Sequence, residues 1–151
     1  DTRIKKLNEG IYDAIILSYA GIKALKIEKE ISEIFSVNEI IPSAGQGIIA
    51  LQCRQDDKEI ISLLKKINDT ETYNIAHAER SILKVLEGDC ETAIGAHAKI
   101  NNDKITIEAE LFSLKGERYY ERKTSSLEKA KELGVEIGKI LKKKSKNSYK
   151  K

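Results

Sequence analysis

The chain has 151 residues, 40% of them apolar and 5% aromatic, with no Trp, so one domain or two small ones must be packed largely with aliphatic side chains. Charged residues reach 34% but the formal net charge is only +3, and acids and bases are interspersed outside a lysine-rich end, which excludes a duplex-binding footprint. Two cysteines and two histidines without metal-ligand spacing exclude a disulfide framework and a zinc site, and no apolar run is long enough to span a bilayer.

No signal-like segment is present, and a reducing cytosolic compartment is the default for this cysteine usage. The chain has no Met and starts with Asp1-Thr2-Arg3 directly in a helical pattern. It therefore reads as a piece whose natural start lies upstream.

Residues 2–8 read as the end of a helix, with Ile4 and Leu7 on one face and Gly10 beyond it. Residues 12–18 have a continuous apolar centre, the pattern of a strand buried on both faces in a parallel α/β sheet. Residues 20–25 read as a short helix, and 27–35 as irregular or weakly helical. The segment Pro42-Ser43-Ala44-Gly45-Gln46-Gly47 then breaks the pattern with the only proline. Residues 48–53 are strand-like and end at Cys53, whose role reads as packing.

Asp56 with Glu59 resembles a capping box opening a helix that carries Ile60, Ile61, Leu63, Leu64 and Ile67. A second helix starts near Asp69 or Thr70. Ile75, Ala78, Ile82 and Leu86 share one face of it, leaving Glu79 and Arg80 toward a flank. Gly88 reads as its left-handed stop. Period two follows: residues 96–100 and 104–113 flank Asn101-Asn102-Asp103, a hairpin signal, with Ile105, Ile107, Ala109 and Leu111 on one face. A third strand spans 118–123, after a turn at Lys115-Gly116. Ser125 and Glu128 suggest another capping box, and the closing helix carries Leu127, Ala130, Leu133, Ile137 and Leu141. The lysine-rich end at 142–151 reads as a frayed, solvated terminus.

The first 67 residues thus look α/β and the remainder α+β: a helix, three antiparallel strands and a helix. Cys90 stands just past the helix stop, in Leu86-Glu87-Gly88-Asp89-Cys90. Its position suits a thiol on an approachable turn, and equally a small buried hydrophobe. The Gly-Gln-Gly loop is by itself no more than a turn signal, and Arg3 and Arg80 by themselves read as surface or salt-bridged side chains.

In order, however, Asp1-Thr2-Arg3-(x)3-Leu7, Tyr12-Asp13-Ala14-Ile15-Ile16-Leu17, Ala20-Gly21-Ile22-Lys23, Pro42-Ser43-Ala44-Gly45-Gln46-Gly47, Cys53-Arg54, Ala78-Glu79-Arg80 and Leu86-Glu87-Gly88-Asp89-Cys90-(x)3-Ile94-Gly95 closely resemble the hydroxymethylbilane synthase (porphobilinogen deaminase) family. The match is motif by motif to about residue 98 and by element order to about 141.

The resemblance implies the C-terminal portion of a cytoplasmic transferase of tetrapyrrole (haem) biosynthesis. Such an enzyme condenses four porphobilinogen molecules head to tail, with release of ammonia, on a dipyrromethane primer held by a thioether. It implies Cys90, Arg3, Ser18 and Gly47 at the cofactor, and Arg3, Gln46 and Arg80 at the substrate. Arginine suits pyrrole acetates and propionates because its planar fork pairs with a carboxylate in two places. For Arg80 a structural salt bridge stays an equal alternative.

Residues 1–41 would finish the family's second domain. Residues 42–67 would be a hinge and the return segment of the first domain, both related to periplasmic-type binding proteins. Residues 68–151 would form the third, α+β domain. The family's catalytic aspartate precedes residue 1 in this layout, so no catalytic residue falls in the chain and it is expected not to turn over alone. Three positions depart from the family: Ala24 stands where arginine is frequent, Asp89 for a common glycine and Ala93 for a common proline. The complete protein is expected to be a monomer without nucleic acid, membrane or metal, whereas stripped strands would let this chain self-associate. The alternative is a non-catalytic anion- or ligand-binding module of periplasmic-type ancestry, which would have no use for an adduct on Cys90. An interaction domain is a third possibility, with only the basic tail to support it.

Overall fold

Residues 2–88 and 91–150 are described by a computed structural model. The chain divides into two units, Asp1–Phe35 and Ser36–Lys151.

In the first unit, helix α1 spans Thr2–Asn8 and ends where Gly10 turns left-handed. Helix α2, Tyr19–Leu25, closes on Lys26, itself left-handed at φ 56°. A single 3-10 turn follows at Glu28–Glu30. The strand expected over residues 12–18 does not form: the segment is irregular and Ile16 is 70% exposed. A parallel strand exists only through its neighbours' hydrogen bonds, and the sheet among the described residues lies wholly in the second unit. The strand-like run at 48–53 is irregular for the same reason, and Cys53 is only half-buried.

The second unit holds α3 (Lys58–Ile67), α4 (Thr70–Leu86), β1 (Ile94–Asn101), β2 (Lys104–Phe112), β3 (Arg118–Ser126) and α5 (Ala130–Ser145). Helix α3 starts one residue later than its sequence signal. Asp57, not Asp56, is the cap and accepts from the Ile60 N–H. None of its residues is buried. Asp69 caps α4 by accepting from the Thr72 N–H at 2.7 Å. At the other end Glu87, not Gly88, takes the left-handed position, with φ 52°. The capping box expected from Ser125 and Glu128 is absent: Ser125 lies within β3, Ser126 precedes the next turn without a side-chain cap, and the Leu127 N–H donates to the Asp103 carbonyl instead.

The three strands form an antiparallel sheet in the order β1-β2-β3. Asn101 pairs with Lys104 across a two-residue turn in which Asn102 is left-handed, as a tight hairpin requires. Alternation then sends Ile105, Ile107, Ala109 and Leu111 of β2 to one face, all fully buried. Ala96 and Ala98 of β1 join them, and α4 and α5 cover this face with Ala78, Ile82, Leu86, Leu133, Ile137 and Leu141. The helices pack closely because Gly134 carries no side chain: a Cβ there would lie 2.1 Å from the Ala78 carbonyl oxygen. The architecture is a small α+β domain with one aliphatic core.

The lysine-rich end is not frayed. Helix α5 runs to Ser145, and Tyr149 is folded back to 4% exposure.

Candidate functional site

Strand β1 is an edge of the sheet, so one row of its N–H groups has no strand to bond. The segment before α3 and helix α4 supply partners. The Ala96 N–H donates to the Pro42 carbonyl at 2.8 Å. Two residues along, the Ala98 N–H donates to Oε1 of Glu79 at 2.8 Å. Gly95 permits this approach, since a Cβ there would lie 2.5 Å from the Ile41 carbonyl oxygen.

The other oxygen of Glu79, Oε2, accepts from the Gly45 N–H at 2.7 Å. One carboxylate thus ties a loop, a helix and a sheet edge together. Glu79 is 3% exposed, and burial pushes its carboxyl above the usual carboxylate range, against the opposing effect of the two N–H donors. His97 Nδ1 stands 3.9 Å from Oε1. Burial pushes the imidazole below its ordinary value, which favours its neutral form.

Helical spacing alone places Glu79 one residue after a core alanine, at the rim of the buried stripe. Glu79, placed toward a flank by its spacing, is in fact buried, because the loop and the sheet edge close over the rim. The missing signal was a carboxylate at this rim beside an edge strand whose Ala98 N–H has no strand partner.

Held this way, the loop turns Ala44 and Gly45 inward and presents Gln46 and Gly47 to solvent. Gly45 and Gly47 are left-handed at φ 77° and 80°, which only glycine adopts readily. The Gln46 N–H is used internally, donating to the Ser43 carbonyl. Among the described residues nothing accepts from the Gly47 N–H.

Arg80 follows Glu79 on α4 and is exposed. The alternative of a structural salt bridge for it finds no carboxylate partner among the described residues. Arg3 lies on α1 and Ser18 just before α2, both exposed and both in the first unit. Arg3 likewise has no carboxylate partner among the described residues. Cys90 and Asp89 lie outside the described residues. The chain enters that segment from Glu87 and Gly88 and leaves it into β1, so the two anchored ends of the segment belong to the same unit as the Glu79 clamp.

A surface cleft lined by Asn74, His77, Asp103, Leu127 and Lys131 contains none of these residues. Among the described residues no group of His, Cys, Asp or Glu has the arrangement of a metal site. None of their helices is long and apolar enough to cross a membrane.

Comparison with known proteins gives consistent matches. Residues 1–62 match the family model described as porphobilinogen deaminase, dipyromethane cofactor binding domain. Residues 73–143 match the model of the porphobilinogen deaminase C-terminal domain. The chain is similar to the protein named porphobilinogen deaminase of Desulforamulus reducens, with 41% identity over 142 residues, covering 93% of this chain and 46% of that one. It is similar to the one of Chloroherpeton thalassium at 37% identity, covering 91% and 45%. The Coxiella burnetii protein of that name is 42% identical over 138 residues, covering 90% and 45%. The chain spans about half the length of the curated relatives it matches.

Proposed function

Because this chain belongs to the porphobilinogen deaminase family, we propose that it forms the C-terminal part of an enzyme that condenses four porphobilinogen molecules head to tail into hydroxymethylbilane, with loss of ammonia. The observation that carries this reading is the match of two domain models of one enzyme to consecutive parts of one chain, in order, together with Cys90 in the Leu86-Glu87-Gly88-Asp89-Cys90 motif.

The donor chemistry fits the dipyrromethane cofactor named by the first of those models. That primer supplies the pyrrole carbon from which the chain grows, and it brings acetate and propionate groups that need cationic partners. Arg3 and Arg80 offer two exposed guanidinium forks without carboxylate partners among the described residues. The Gly47 N–H is a further unused donor there, on a loop rigidified through Gly45. Ser18 contributes a hydroxyl at the start of α2. Gln46 stands beside Gly47 as an uncharged donor to the substrate. Cys90 is the attachment thiol, since a thiolate is a strong nucleophile toward an electrophilic methylene and a thioether is a lasting tether. No residue of this chain is assigned the proton transfers at the pyrrole nitrogens.

In the same reading residues 1–41 complete the second domain, residues 42–67 are the hinge and the return segment of the first, and residues 68–151 are the third. The first two are related in fold to periplasmic-type binding proteins. The complete protein works in the cytoplasm as a monomer, without nucleic acid or membrane. The chain by itself self-associates through exposed apolar side chains such as Ile16, Ile49 and Ile67 (70%, 88% and 68% exposed).

Intact-mass measurement of the complete protein tests the assignment. It should carry an adduct of two linked pyrrole units, and Cys90→Ser should carry none. An adduct surviving unchanged in Cys90→Ser would remove the attachment role. Absence of both adduct and ammonia release from the wild type with porphobilinogen would remove the activity.

A further inference from the structure

Two tight turns share Gly45. The Gln46 N–H donates to the Ser43 carbonyl at 3.0 Å and closes the first, over residues 43–46. The Ile48 N–H donates to the Gly45 carbonyl at 3.1 Å and closes the second, over residues 45–48. Each turn has a glycine in third position, Gly45 at φ 77° and Gly47 at φ 80°, while Ala44 and Gln46 in second position are not left-handed. That combination is a type II turn, which needs a positive φ at its third residue only.

The closing bond of such a turn uses the first carbonyl and the fourth N–H, so the N–H of the third residue stays available. The repeat therefore offers two matching donors, the N–H groups of Gly45 and Gly47. The first already holds a carboxylate, donating to Oε2 of Glu79 at 2.7 Å. The second is exposed, and among the described residues nothing accepts from it.

Because the turns are continuous, the direction of the Gly47 N–H depends on what holds Gly45. The loop is tied at its entry, where the Pro42 carbonyl accepts from the Ala96 N–H at 2.8 Å, and at its middle, where Glu79 takes the Gly45 N–H. Glu79 is itself fixed, 3% exposed on α4 and bound through Oε1 to the Ala98 N–H at 2.8 Å. We propose that Glu79 is a positioning residue for pyrrole carboxylates: by holding Gly45 it aims the Gly47 N–H at an acetate or propionate group. This rests on the placing of Gly47 and Gln46 at the ligand in the function proposed above. A donor held in place beforehand binds more tightly than one that must be ordered on binding. The carboxylate belongs either to the primer or to an incoming porphobilinogen, and the step that suffers tells which.

The test uses the complete protein, prepared with and without its primer, and its Glu79→Gln and Glu79→Ala variants, below the unfolding midpoint of each. Three quantities are read: amide hydrogen exchange at residues 43–48 against residues 105–111 of β2; kcat and KM for porphobilinogen in the primed protein; and the rate of adduct formation when the unprimed protein meets porphobilinogen, by intact mass. Glu79→Gln keeps one acceptor and loses the charge, so exchange at 43–48 should quicken by roughly tenfold with β2 unchanged. For an incoming carboxylate, KM should rise by roughly five- to tenfold with kcat within about twofold. For a primer carboxylate, adduct formation should slow by a similar factor with KM unchanged, and an effect on both steps assigns both carboxylates to the donor. Glu79→Ala should exceed Glu79→Gln in whichever step moves.

Wild-type KM and adduct formation in Glu79→Ala, with exchange at 43–48 quickened and the wild-type protein active, would overturn the positioning role and leave the proposed function standing. Unchanged exchange at 43–48 would overturn it at its root, since the carboxylate would not be holding the loop. Equal quickening in β2 would overturn it as general loosening. A wild-type protein that releases no ammonia from porphobilinogen would instead sink the function on which the role rests. If Glu79→Ala fails to fold, Glu79→Gln still decides the matter.

Discussion

Removing the Glu79 carboxylate should release the loop at residues 42–47 from the domain that carries it. In Glu79→Ala, the N–H groups of Gly45 and Ala98 lose their acceptor, held now at 2.7 and 2.8 Å. Each buried, unsatisfied N–H costs about 1–3 kcal/mol, so the variant should lose about 2–6 kcal/mol. With an m-value of about 1–3 kcal/mol/M in urea, the unfolding midpoint should fall by roughly 1 M or more. Glu79→Gln keeps one acceptor oxygen but turns an amide NH2 toward the other N–H, so it should lie between wild type and alanine.

The pH dependence adds a signature. The folded-state pKa is raised above its usual value by burial. The folded protein therefore binds more protons than the unfolded one between the ordinary and the raised value, and stability from this group falls as pH rises through that window. Glutamine does not titrate, so the gap between wild type and Glu79→Gln should narrow as pH rises there. Urea unfolding followed by circular dichroism, repeated across the acidic range, measures both effects. A Glu79→Ala midpoint unchanged from wild type would refute the clamp, whereas a gap that widens with pH in that window would show that the two N–H donors outweigh burial at this carboxyl.

Gly134→Ala tests the contact between α4 and α5. An alanine in an open helix site would stabilise by up to about 1 kcal/mol, but here the added Cβ would meet the Ala78 carbonyl oxygen at 2.1 Å. The expected outcome is a loss of about 1–3 kcal/mol and a lower thermal midpoint; a raised midpoint would show that the helices pack otherwise. In the complete protein, Arg3→Leu should slow adduct formation or chain growth by roughly tenfold or more through the lost carboxylate pairing. Arg3→Lys should recover only part of it, because an ammonium lacks the fork, and unaltered kinetics in Arg3→Leu would remove the role.

The second half of the fold was largely legible in the chain. Period-two alternation at Ile105, Ile107, Ala109 and Leu111 and the Asn101-Asn102-Asp103 turn specify a hairpin with one buried face. The spacing of Ala78, Ile82 and Leu86, and of Leu133, Ile137 and Leu141, specifies the two helices that cover it. These signals are local: each depends on which face of its own element is apolar. The order of short motifs around Arg3, Gly47 and Cys90 was equally readable, and it carried the family.

Tertiary structure decided what depends on partners distant in sequence. Residues 12–18 and 48–53 have the composition of buried strands, yet a strand is made by hydrogen bonds from a neighbour, and none pairs with them in the described chain. Glu79 and Tyr149 look like solvent-facing residues from their own segments. They are buried because other segments, 34 residues away at Gly45 and 63 residues away at Leu86, bring unsatisfied backbone groups to them. A pattern within one segment records how that segment divides between water and core. It does not record which distant amide or carbonyl will need a partner, and only the folded chain settles that.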